Sequence, residues 1–231
     1  MKQALSKIVA KLQAHYGKPP PPKTTHPFGL VLQKYVAYLT PDEKRDAAFD
    51  ALRKRVGLKP SKILGAPEAQ LIEIARLGGM HPEMRVARLQ ESALIVLNDF
   101  AGDLKNALKL PLPQAKKSLQ AFPGVGAPVA EKILLFTRTY AVLGLESNGL
   151  RVLLRLGFGE EKKNYASSYA SVQDDLKDQI GTDFDFLIRA HLLLRQHGQE
   201  LCRRSKPKCE LCPLQSGCAY YRNSTKTRRP T

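Results

Sequence analysis

A chain of 231 residues with 37 Lys and Arg against 21 Asp and Glu carries a formal net charge of +16. Charged residues at 25% and hydrophobic ones at 43% are globular proportions, which excludes wholesale disorder, and the length suits one large domain or two small ones. No run approaches the roughly 20 apolar residues a membrane helix needs; the segment Ile133 to Phe136 is soon broken by Arg138.

The opening segment interleaves lysine with apolar residues and lacks the continuous apolar core of a signal peptide. A soluble, monomeric, cytoplasmic protein is expected, nucleoid-associated if the source is bacterial. The charge surplus favours a polyanionic partner over a membrane, because each cation that neutralises a phosphate releases condensed counterions. A generic basic surface stays open as the plainer explanation.

Leu5, Ile8, Val9 and Leu12 form a helical stripe at i, i+3, i+4 and i+7. Gly17 to Pro22, with four consecutive prolines, reads as a stiff spacer. The next helix is expected from His26-Pro27 through Leu39, and the following one to start with Thr40 as N-cap and Pro41 at the first helical position. Further helices are expected at 67–77, 83–99, 113–121, 128–139, 148–156, 165–178 and 184–200. From Arg222 onward the tail is expected to be mobile. Alternating β-branched runs do not occur, so the fold class is all-α.

All four cysteines fall within 17 residues as Cys202-x6-Cys209-x2-Cys212-x5-Cys218. Two disulfides, one zinc ion or an iron-sulfur cluster are the possible readings. Only Cys209 and Cys212 have the close spacing of a zinc knuckle, and the longer loops suit the wider [4Fe–4S] cube. Arg203, Arg204, Lys206 and Lys208 lie between the first two cysteines, where they can offset thiolate charge or meet phosphate.

Between two helical segments stands Phe122-Pro-Gly-Val-Gly-Ala-Pro-Val-Ala130. Gly124 and Gly126 are expected to supply positive φ angles for a tight turn, leaving backbone N–H groups of Gly124, Val125 and Gly126 and the next helix start free for a phosphate oxygen. A plain turn between two helices is the other reading.

The P-G-V-G hairpin, the helical stretch after it, His197-Gly198-x3-Cys202 and the cysteine loop together resemble endonuclease III, a helix-hairpin-helix DNA glycosylase with a [4Fe–4S] cluster. The resemblance implies two helical domains, 26–140 with the hairpin, and 1–25 with 141–231 around the cluster, with double-stranded DNA lying in the groove between them. It implies excision of a damaged or mismatched base. Cys202, Cys209, Cys212 and Cys218 become the cluster ligands, and the hairpin glycines and loop cations the DNA contacts.

Two positions depart from that family. Its nucleophilic lysine, the second residue after P-G-V-G, is Pro128 here, which has no amine to offer; Lys132, one turn on, is the nearest replacement. Its essential aspartate aligns with Glu146 in Leu145-Glu-Ser-Asn-Gly-Leu-Arg151-Val152, where a structural helix-end charge is the competing role. The expected activity is therefore hydrolytic base release with little or no strand cleavage, the alternative being a catalytically degenerate binder of damaged or distorted DNA. The family's gap-filling glutamine segment aligns with Leu39-Thr40-Pro41-Asp42, so Leu39 could wedge between bases, while Tyr35 and Tyr38 could stack on a flipped base or sit in the core. His197 is expected beside the cluster and His81 at a helix start.

Overall fold

The structure, a computed structural model, describes residues 3–226. The chain divides into two compact units: Pro22–Thr139 forms a continuous one, and the described residues on either side, up to Pro21 and from Tyr140, form a split one. Among the described residues the regular elements are helical, with one isolated bridge between Tyr38 and Gly79. None of these helices is long and apolar enough to cross a membrane.

Helix α1 (Leu5–Tyr16) belongs to the split unit and buries the expected stripe of Leu5, Ile8, Val9 and Leu12. In the continuous unit, α2 (Pro27–Tyr35) is buried from Pro27 to Leu32. A helix apolar all round belongs in a core. The expected continuation to Leu39 does not occur. The Tyr38 amide instead donates to Gly78 O at 2.9 Å, and Leu39 turns left-handed at φ 48°. Helix α3 (Asp42–Arg55) then starts one residue later than expected, capped by Pro41 and without a side-chain bond from Thr40.

Two short helices carried no sequence signal: α4 (Pro60–Gly65) and α7 (Lys105–Leu108). Between and after them come α5 (Glu68–Leu77), α6 (Pro82–Asp99), α8 (Leu112–Gln120) and α9 (Ala127–Phe136). The last stops three residues short of expectation, where the Thr137 hydroxyl donates to Ile133 O at 2.8 Å and Arg138 turns to φ 55°. Lys116 of α8 pairs with the buried Glu131 of α9, clamping the two helices of the hairpin.

The split unit continues with α10 (Ser147–Leu156), α11 (Tyr165–Leu176), α12 (Phe184–Glu200) and α13 (Ala219–Lys226). Helices α10 and α12 cross so closely that a Cβ on Gly198 would lie 2.6 Å from Asn148 O. Helix α13 corrects the expectation of a mobile tail beginning at Arg222; residues 227–231 lie outside the described ones.

Candidate functional site

The hairpin between α8 and α9 needs its glycines for two different reasons. Gly124 has φ +63°, as expected, but Gly126 is extended at φ −87° and serves as the N-cap of α9. A Cβ on Gly126 would make only ordinary contact, 3.7 Å from Pro128 Cδ, so the chain itself does not need the glycine there. Its amide and that of Ala127 have no partner among the described residues. Both glycines are exposed. Val125, expected among the DNA contacts, instead has a buried side chain and an amide that donates to Phe122 O at 3.0 Å, so it anchors the turn. Pro128 occupies the first turn of α9, where no N–H is needed. Lys132 follows in the same helix, half-buried.

Tyr35 does not stack on a flipped base. Its ring is 2% exposed and its hydroxyl donates to Pro123 O at 2.6 Å, tying α2 to the hairpin. Beside it stands Lys34, the penultimate residue of α2. Its Nζ lies 4.8 Å from the Tyr35 ring centre and 3.7 Å from where a Gly124 Cβ would be. Burial, and then the charge of Arg88, lower its pKa. A half-buried ammonium beside open amides completes a small anion-binding surface.

Tyr38 and Leu39 are 50% and 73% exposed, with Met80 and the left-handed His81 presented nearby through the Tyr38–Gly79 bridge. Arg85 holds this pair of knuckles from below. Its buried guanidinium donates to the carbonyls of Val36, Ala75, Gly79 and Met80. Exposed apolar side chains on strained, rigidly held backbone are an arrangement found at functional sites.

In the split unit the segment 143–146 is pinned from several sides. Gln173 donates to Leu143 O at 2.7 Å, His191 bonds Gly144 O, the Leu145 amide donates to the Tyr169 hydroxyl at 3.3 Å, and the Tyr165 hydroxyl donates to Leu145 O at 3.2 Å. Burial, and secondarily the charge of Glu146, push the Tyr165 hydroxyl up to about 12, so it remains a donor. Glu146 follows this strap as the N-cap of α10. Its Oε1 accepts the amides of Asn148 and Gly149, both at 2.9 Å, and its Oε2 accepts Asn148 Nδ2 at 2.9 Å. Four lone-pair positions minus three bonds leave one acceptor position open. Pro128 and Glu146 fall in different units.

Asn148 Oδ1 in turn accepts from Arg151, which also donates to the carbonyls of Gly198 and Cys202. Arg155, one turn on, donates to Cys202 Sγ at 3.4 Å and to the carbonyls of Arg203 and Arg204, with its guanidinium 4.4 Å above the Tyr220 ring. Two arginines of α10 thus fasten the start of the cysteine loop.

The four cysteines are free and line one cavity, together with Arg155 and Tyr220. His197 is buried against them, bonded to the Tyr16 hydroxyl at 3.0 Å and lying 3.4 Å from Cys212 Sγ. Among the described residues no three Cys, His, Asp or Glu side chains are arranged to hold a single metal ion. Four thiols lining one cavity are a donor set suited to a thiolate-bound metal centre. Arg203, Arg204, Lys206 and Lys208 all stand exposed on the loop.

No family profile matches the chain. It is 27% identical to an endonuclease III of Sulfolobus acidocaldarius over 206 residues, 88% of this chain and 86% of that one. It is 25% identical to a thymine/uracil-DNA glycosylase of Methanothermobacter thermautotrophicus over 161 residues, 69% of this chain and 66% of that one. Among solved structures, a trapped endonuclease III–DNA covalent intermediate superposes with a TM-score of 0.74 at 17% identity, covering 96% of this chain and 99% of that one.

Proposed function

We infer that this chain, an endonuclease III-like member of the helix-hairpin-helix DNA glycosylases, releases a damaged or mismatched base from duplex DNA by hydrolysis and leaves the strand uncut. The observation that carries this reading is the Glu146 carboxylate, fixed at the positive end of α10 with one acceptor position open. The chain's likeness to a thymine/uracil-DNA glycosylase as well as to endonucleases supports base removal as the common step.

In this mechanism the amides of Gly126 and Ala127, with Lys34, bind a phosphate of the duplex, and Arg203, Arg204, Lys206 and Lys208 add further phosphate contacts. Leu39 fills the gap left by an extruded nucleotide. The bond between C1′ and the base nitrogen breaks, its electron pair leaves with the base, and a proton from solvent neutralises that base. Positive charge developing on the sugar is stabilised by the Glu146 carboxylate. Water then adds to C1′ and gives its proton to Glu146, leaving an abasic site. With proline at 128 there is no amine there to form a Schiff base, and so no β-elimination of the strand.

Cys202, Cys209, Cys212 and Cys218 would hold a [4Fe–4S] cluster, which supplies a cross-link that fixes the basic loop. Arg155 is suited to offset part of its negative charge.

The rival reading is a non-catalytic binder of distorted DNA. It is favoured by the engagement of both Glu146 oxygens in the cap, and by a side chain one methylene longer than aspartate, since misplacement by about 1 Å can cost about 10²-fold in rate. A panel of duplexes, each with one modified or mismatched base, separates the two when base release and strand nicking are scored independently. Release without nicking, abolished in Glu146→Gln with binding kept, is the expected result. Tight binding with no release from any duplex would establish the binder.

A further inference from the structure

The split unit contains a second recess, of about 860 Å³, bounded by α10, the loop 157–164, the start of α11, the cysteine loop and α13. The proposed mechanism uses Arg204 at its edge and Asn148 and Arg155 in its wall, but places no ligand in it. Pockets of about 300–1,000 Å³ hold small ligands or short chain segments, so this one is too small for a duplex.

Its chemistry is cationic and aromatic together. Lys163 and Arg204 line it with no hydrogen-bond or ion-pair partner for their side chains among the described residues. Lys162 also lines it, paired with Glu160, and Glu161 is the one carboxylate of the lining. Arg151 and Arg155 underlie it with their guanidinium groups committed to carbonyls. Tyr165 and Tyr220 contribute rings that are 44% and 39% exposed.

The walls are preformed. Gly159 N donates to Asp175 at 2.6 Å, Glu160 N to Ser171 Oγ at 2.9 Å and Lys162 N to Ser168 Oγ at 2.8 Å, so α11 holds the loop along its length. The Tyr165 ring stacks on Tyr169, and the Tyr220 ring is backed by Arg155. Fixed aromatic faces beside unpaired cations form the combination that binds single strands, where bases are free to stack and phosphates meet the charge.

We propose that this recess binds an unpaired stretch of nucleic acid strand, with Lys163 and Arg204 on its phosphates and Tyr165 and Tyr220 stacking its bases. It is a site separate from the hairpin that holds the duplex, and it does not depend on base excision. Ser147, the first residue of α10, also lines the recess, so a strand held there passes close to Glu146.

The test is fluorescence anisotropy of the full protein on labelled undamaged duplexes of equal pairing, blunt or with a short oligothymidine tail. The tailed duplex should bind about tenfold more tightly, the worth of roughly one stacked base. Lys163→Glu and, separately, Lys163→Ala should remove that advantage and leave blunt-duplex affinity unchanged. Equal affinity for the two duplexes, or equal weakening of both by Lys163→Glu, would overturn the proposal. Thymidine monophosphate competing as well as an oligothymidine would also overturn it, assigning the recess to a free nucleotide. Base release is not part of the readout, so loss of the glycosylase reading would leave this result standing.

Discussion

Glu146 caps α10, and its variants separate that structural role from the chemical one proposed for it. Glutamine keeps an oxygen for the α10 amides but turns an NH₂ toward Asn148 Nδ2, so Asn148 must flip and lose its bond from Arg151. Glu146→Gln should therefore abolish release while costing about 0.5–1 kcal/mol in chemical denaturation, within the range of a weakened N-cap. In Pro128→Lys combined with Glu146→Asp, a borohydride-trappable adduct with lesion DNA should appear that the parent protein does not form. Lys34 makes a different kind of contribution. Lys34→Ala should weaken all duplexes alike and reduce the salt slope by about 1, as expected for one phosphate contact. Because its pKa is lowered, raising the pH neutralises Lys34 before other lysines, so affinity should fall earlier with alkali in the parent than in Lys34→Arg. Glu146 and Pro128 can be singled out in the sequence by their place between motifs, and they fall at the N-cap of α10 and in the first turn of α9. Lys34 cannot be singled out in this way, since Gly124, which it faces, lies on a distant segment and only folding brings the two together.

At the scale of the elements, the hairpin and the α10–α12 crossing fail in opposite ways when a side chain is added. Gly126→Leu should cost only about 0.5–1 kcal/mol, the loss of a favourable N-cap residue, because its Cβ meets nothing closer than 3.7 Å, yet reduce DNA affinity by blocking close approach. Gly198→Ala should cost about 1–3 kcal/mol or more in stability, since its methyl group meets the Asn148 backbone in a packed crossing. Calorimetry beside a binding titration distinguishes the two. Long helices with an apolar period, such as α1, α6 and α12, were legible within a few residues. Helices α4 and α7 were too short to show a period. The early end of α2 was also illegible, because it depends on the Tyr38–Gly79 pairing and on Arg85 gathering four carbonyls from distant segments. The sequence does not distinguish the two roles open to Gly126, because glycine serves an N-cap as readily as a left-handed turn.

For the whole molecule, a net charge of +16 makes ionic strength the dominant variable. Non-specific affinity should fall steeply between about 50 and 200 mM salt, by orders of magnitude if several phosphates are neutralised. The purified protein should be yellow-brown and contain iron and sulfide in equal amounts. Cys212→Ser should lose both and expose the basic loop to proteolysis; a colourless protein holding one zinc would reject the cluster.

The interrupted course of the chain has a further consequence, for synthesis. Residues 22–139 form a contiguous unit whose partners have all left the ribosome before the other unit can begin to close. Helix α1, by contrast, is made before that unit but must wait for α12 to cover Leu5, Ile8, Val9 and Leu12. During that interval its apolar stripe is exposed to whatever the nascent chain meets. Ribosome-bound chains arrested shortly after residue 139 has emerged should therefore show a protease-resistant fragment from the continuous unit while α1 is cleaved. Protection of α1 should appear only once α12 has emerged.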